Sequence, residues 1–220
     1  MSDTLIKSSK RVLSPIERVS EALFGIIMVL TFTGSLSVAE AGREDVRTML
    51  IGAIGCNLAW GVIDAILYLM GGLAEKGTGI RTLRAVRGST DARKAHQLIL
   101  DALPPVVAGV MQPAEVESLR LRLQALPEPP LRARLSGRDW VGALGVFLVV
   151  FLITFPVAIP FIFMQDVYVA LRTSNAIAVV LLSIAGYAFG RITGHSAWMV
   201  AVGMVILGCV LVGITIALGG

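Results

Sequence analysis

Five apolar runs mark the chain, at residues 22–39, 48–74, 140–164, 175–190 and 196–220. About 20 apolar residues at ~1.5 Å rise cover the ~30 Å hydrocarbon core of a bilayer. Three of the runs meet that length, and the first and fourth reach it by borrowing flanking residues. The connections between runs one and two, three and four, and four and five are short, which predicts antiparallel neighbours. Between the second and third lies a polar stretch, 75–139. The pattern predicts an all-α integral membrane protein: five transmembrane helices with a small helical insert between the second and third. It divides the chain into an N-terminal segment (1–20), helices one and two (21–74), the insert (75–139) and helices three to five (140–220).

Within the insert, Ser89 or Thr90 is placed to cap a helix running to about Leu103, where Pro104-Pro105 stops it. Pro113 suits the first turn of a second helix, with Glu115 and Glu117 near its positive end. Val116, Leu119, Leu123 and Leu126 fall on one face of that helix, and Pro127, Pro129 and Pro130 end it. A further turn is expected at 131–136. In the third run, Pro156 and Pro160 are expected to bend the helix and free carbonyls.

Hydrophobic residues make up 55% of the chain and the mean hydropathy is +0.80, which excludes an ordinary soluble domain. The net charge of +4 follows membrane topology rather than nucleic acid. Lys7, Lys10, Arg11, Arg18, eleven basic residues of the insert and Arg191 make sixteen on one side, against Arg43, Arg47 and Arg172 on the other. The positive-inside rule then puts the N-terminus and insert in the cytoplasm and the C-terminus outside. The membrane is expected to be a bacterial inner membrane. Residues 1–20 are polar and do not read as a cleavable signal peptide. Cys56 and Cys209 both lie in apolar runs, which rules out a disulfide framework. No Ser-His-Asp set, P-loop or HExxH occurs, so an enzyme is not expected, nor is a permanently bound cofactor.

Asp64 is the sole charge of run 48–74. A carboxylate at that depth costs at least ~2.5 kcal/mol unless it is paired, protonated or hydrated, so it marks an ion or proton site. The plainer reading is a protonated Asp64 bonded to a neighbouring helix. Asn57, Trp60, Gly61, Asp64 and Tyr68 form one polar stripe on a helix. On the first run, Met28 lies about 10 Å from the cytoplasmic end and Asp64 about 13 Å from the same surface, so the two side chains are expected at similar height. A carboxylate with a thioether suits a borderline transition ion better than Mg²⁺ or Ca²⁺. Glu21 and Glu75 stand at the cytoplasmic mouths, where carboxylates attract cations. Asp166 and Arg172 read as ordinary loop charges. Gly186 and Gly190 in run four, with Gly203 and Gly208 in run five, suggest close helix packing or dimerisation.

The order of spans and insert, the Glu21-x-x-Phe24-Gly25 stretch, the 59–68 stretch and the Thr193-Gly194…Gly219-Gly220 frame resemble the vacuolar iron transporter family. The resemblance implies a homodimer in the lipid bilayer that moves Fe²⁺ or Mn²⁺ out of the cytosol against protons. Two departures stand out. The family carries an Asp seven residues after the Glu of span one, where this chain has Met28, and a Met where this chain has Asp64. The carboxylate and thioether have thus exchanged helices. The family's insert is rich in Glu, whereas residues 75–139 hold seven acidic and eleven basic residues. Under the transport reading Asp64, Met28 and Glu21 hold the metal, and Asn57, Tyr68 and Glu75 line its path. The alternative is a non-transporting membrane scaffold whose basic insert binds anionic lipid or a partner protein.

Overall fold

The computed structural model describes residues 15–34 and 43–217. Among them the chain forms α1 (Pro15–Gly34), α2 (Arg43–Gly88), α3 (Ala92–Asp101), α4 (Pro105–Val110), α5 (Pro113–Ala125), α6 (Gly137–Leu152), α7 (Thr154–Phe163), α8 (Val167–Thr193) and α9 (Ala197–Ala217). They build two compact units, an apolar one from residues 15–68 and 138–217 and a polar one from Leu69–Gly137.

Among the described residues four stretches are long and apolar enough to cross a membrane: Glu44–Gly88, Gly137–Phe163, Val167–Thr193 and Ala197–Ile214. The chain is therefore an integral membrane protein. α1, expected as a fifth span, is not among the four. Glu17, Arg18 and Glu21 occupy its first two turns, leaving only ~20 Å of uncharged helix at 22–34. The expected end of that span, 35–39, lies outside the described residues, as do 218–220 of the last one. Run 175–190 starts too late in the sequence reading. α8 begins at Val167, because Asp166 caps it by accepting a 3.0 Å hydrogen bond from the Val169 N–H. Arg172 is carried on that helix with its guanidinium 4.9 Å from the Tyr168 ring centre, so neither residue is a loop charge. Gly194 ends α8 with φ 76°, a left-handed conformation open to glycine at little cost.

The third span is interrupted at Ile153, between α6 and α7. Pro156 accounts for the position: it has no N–H for the carbonyl of Leu152, and its ring clashes with that carbonyl. Pro160 stays inside α7 and leaves the Pro156 carbonyl without its helical donor.

α1 supplies the core of the apolar unit. Ile26, Val29 and Leu30 are buried with Ala53 of α2, Val157 of α7, and Ala178 and Leu182 of α8. A second cluster joins Val46 and Met49 of α2 to Phe161 of α7 and Ala170 and Leu171 of α8. Small residues set the closest approaches. A Cβ on Gly190 would stand 2.7 Å from the Ala197 Cα, one on Gly186 2.6 Å from Met204 Cγ, and one on Gly208 2.9 Å from Leu182 Cδ1. These three glycines seam α8 to α9. Gly203 has no such neighbour and faces outward.

In the polar unit α2 continues as helix through 75–88, a stretch the sequence reading placed in a separate insert. Ile80 and Val86 are buried on it, and Val86 packs with Ala95 and Ile99 of α3 and Val116 of α5. The cap of α3 is Asp91 rather than Ser89 or Thr90; its carboxylate accepts from the Arg93 N–H at 2.9 Å. Pro105 does more than stop a helix, since it opens the short α4. α5 starts at Pro113 with a reciprocal capping box, in which Glu115 accepts from the Gln112 N–H at 2.8 Å. Arg84 and Arg87 of α2 donate to the carbonyls of Pro130 and Pro127 at 2.6 and 2.9 Å, tying down the proline-rich segment after α5. Between α3 and α5, Glu117 meets His96 Nε2 at 2.6 Å and Arg120 at 2.6 and 2.8 Å. The hydrogen bonds from Arg120 and His96 hold the Glu117 carboxyl down at about 2, and Glu117 in turn raises the Arg120 guanidinium.

Candidate functional site

α1 and α2 run antiparallel, and two side-chain pairs fix their register. The Phe24 and Trp60 rings lie 5.4 Å apart, tilted by 52°. One turn nearer the start of α1, the carboxyl groups of Glu21 and Asp64 come within hydrogen-bonding reach of each other. α6 closes the third side of this seam. Gly61 lies against the Phe147 ring, and a Cβ on Gly25 of α1 would stand 3.1 Å from the Val150 carbonyl oxygen.

Tyr68, one helical turn past Asp64, reaches α6 at Gly142. A Cβ there would stand 2.3 Å from the phenol oxygen and 2.5 Å from two ring carbons, so the ring occupies the place a side chain would take. The same register brings Glu17 level with Tyr68, and the negative charges of Glu17 and Asp139 act on the phenol.

Met28 lies two turns from Glu21, about 10 Å along α1. Asp64 therefore faces Glu21 and not Met28, with the Phe24–Trp60 pair between the two levels. The expectation of equal height treated the two helix ends as flush. The Phe24–Trp60 contact sets the two helices so that Glu21 comes opposite Asp64. Met28, half-buried, comes level with Asn57, whose side chain is 1% exposed and donates from Nδ2 to the Thr154 hydroxyl at the start of α7. Glu75 is exposed and belongs to the polar unit.

Three buried side-chain oxygens among the described residues have no hydrogen-bond partner: Asn57 Oδ1, Asp64 Oδ2 and Asn175 Oδ1. All three sit in the apolar unit, and all are acceptors, which favours donors or cations rather than anions. Ser174, next to Asn175 on α8, donates to the Val157 carbonyl at 2.7 Å. Among the described residues no group of three His, Cys, Asp or Glu side chains converges on one point. The Glu21–Asp64 pair brings two carboxyl groups together and provides four oxygens.

Sequence reasoning singled out Asp64, Glu21, Asn57 and Tyr68 but missed Glu17, Asp139, Gly142, Thr154 and Asn175. Glu17 was within reach, since it lies one turn before Glu21 on the same face. Asp139 and Gly142 meet the stripe only through the packing of α6 on α2, and no local signal marks that contact.

None of the curated proteins matches the chain. A model of the VIT family matches residues 91–220, which takes in α3 to α9 and leaves α1 and α2, with Glu21 and Asp64, ahead of the matched region. The match spans more than half of the 220 residues, and on that ground the chain belongs to the VIT family, the vacuolar iron transporters.

Proposed function

We propose that this protein exports a divalent transition metal ion, Fe²⁺ or Mn²⁺, from the cytosol in exchange for protons. The observation that carries the reading is the pairing of Glu21 with Asp64 in the seam between α1 and α2. Family membership supports membrane metal transport in general, and the pair supplies chemistry for it.

Two carboxylates held together repel when both are charged, and either a proton or a divalent cation relieves the repulsion. A site of this kind exchanges one for the other. Metal entering from the cytosol displaces protons from the pair, and protons arriving from outside release the metal. Carboxylate oxygens accept Fe²⁺ and Mn²⁺ readily, and an ion in transit fills its remaining positions with water. The thioether of Met28 and the Asn57 carbonyl oxygen, two turns further along, form a second, softer station beyond Phe24 and Trp60. The eleven basic residues of 75–139 support a cytosolic side for the end of α2 that leads into them, so that metal enters at the Glu17–Tyr68 end. Glycine seams and exposed apolar faces suit a homodimer in a bacterial inner membrane.

The test is flux into proteoliposomes of Fe²⁺, Mn²⁺, Zn²⁺ and Co²⁺, with and without a proton gradient. The expected result is gradient-dependent Fe²⁺ or Mn²⁺ movement that falls at least about tenfold in both Asp64→Asn and Glu21→Gln, equivalent to ~1.4 kcal/mol or more in transition-state binding. Met28→Ala is expected to alter the preference among ions more than the total rate. Wild-type vesicles that move none of the four, or a double variant with full flux, would overturn the reading.

A further inference from the structure

The Glu21–Asp64 pair lies between two aromatic groups. On one side stand the Phe24 and Trp60 rings. On the other, one turn nearer the start of α1, stands Tyr68 with its phenol against the backbone of α6 at Gly142. One oxygen of the Asp64 carboxyl is buried, although a carboxyl is among the groups most costly to enclose. Tyr68 and Asp64 lie four residues apart on α2, so their side chains share a face and the ring stands over the approach to the carboxyl from that end. Gly142 is what makes this closed position possible, since any side chain there overlaps the ring. Here Glu17 and Asp139 bring negative charge to the phenol from α1 and α6, where they concentrate cations just outside the closure.

We propose that Tyr68 is a gate: its phenol, seated in the slot left by Gly142 on α6, closes the approach to the Glu21–Asp64 pair from the end where α1 begins, and an ion passes only when the ring leaves that slot. The purpose of the gate rests on the transport reading, whereas its existence is measured without any metal. An exchanger requires that its site never open to both sides together, and a closure at Tyr68 meets that requirement from the end where α1 begins.

The experiment uses the full chain with Cys56→Ser and Cys209→Ser, in inverted membrane vesicles, with Asp64→Cys as a reporter for a small membrane-impermeant thiol reagent. With Tyr68 in place, labelling is expected to be slow. Tyr68→Ala is expected to speed it at least about tenfold. Gly142→Ala, which pushes the ring from its slot, is expected to do nearly the same, and Tyr68→Phe to leave it slow. A second reporter, Asn57→Cys, lies beyond the Phe24–Trp60 pair and is expected to stay slow in every variant. Equal labelling at position 64 with and without the ring would overturn the gate. Fast labelling at both reporters would also overturn it, because that is general loosening of the bundle. Gated labelling in a protein that moves no metal would leave the gate standing and remove only the transport reading.

Discussion

Along α8 and α9, Gly186, Gly190 and Gly208 let one helix press against the backbone and side chains of the other, whereas α1 and α2 meet through a carboxylate pair and two aromatic rings. Both seams belong to the apolar unit, yet they use opposite means. The glycine seam gains its energy from close packing, which is what holds helices together where lipid competes equally for apolar side chains. The polar seam gives up some of that packing and encloses groups that cost free energy to bury. It offers in return a place for a proton or an ion. The difference teaches where stability and chemistry are divided in this fold.

The largest expected effect comes from closing the glycine seam with bulk. Gly190→Leu drives a side chain into the Ala197 backbone and is expected to cost about 1–3 kcal/mol or more, read from unfolding in mixed micelles. Gly203→Leu, at a glycine with open space, is expected to stay within about 0.5 kcal/mol. Equal losses at the two positions would erase the distinction between a packed seam and a lipid-facing surface. A smaller effect is expected where α2 meets the helix break. Asn57→Leu removes the donor to the Thr154 hydroxyl and is expected to cost about 0.6–2 kcal/mol in the same measurement. A stabilised variant would mean that the buried amide is retained at a net cost, as expected of a site rather than of a joint.

The smallest effect lies outside both seams, in the His96–Glu117–Arg120 cluster between α3 and α5, where solvent screens the charges. The Glu117 carboxyl sits at about 2, below its ordinary 4.5, so its contribution to folding is complete above 4.5. That contribution is lost as the pH falls from about 4.5 towards 2. Hydrogen exchange of the α3 and α5 amides, corrected for intrinsic rates, is expected to show protection declining across that window, and Glu117→Gln to flatten the decline. An unchanged pH profile in Glu117→Gln would show that the clasp adds nothing to the unit.

Much of this was readable from the chain because membrane helices announce themselves by composition. Asp64 stood out as a lone charge, Pro156 signalled the interruption of the third span, and Gly186 and Gly190 signalled a close seam. Three things were hidden for physical reasons. The run of α2 past Ala74 was masked by Glu75, Lys76 and Thr78 together with Gly77 and Gly79, although burial of Ile80 and Val86 sustains the helix. The partner of Asp64 was misplaced because depth counted from helix ends ignores how far neighbours slide along each other. The Tyr68–Gly142 contact joins residues far apart in sequence, and a glycine that receives a ring looks like any other glycine until the helices are packed.

The placement of α1 also carries a consequence for biosynthesis. Its buried residues Ile26, Val29 and Leu30 close on Val157, Ala178 and Leu182, which leave the ribosome roughly 150 residues later, on the order of 10 s at 5–20 residues per second. Throughout that interval the nascent chain holds a short helix with Glu17, Arg18 and Glu21 at its start and, of its buried cluster, only Ala53 of α2 to dock against. A chain arrested before α8 exposes an unfinished seam to the quality-control machinery of the membrane. Mutations in α8 that weaken this late closure will therefore lower the amount of protein made before they alter what it does.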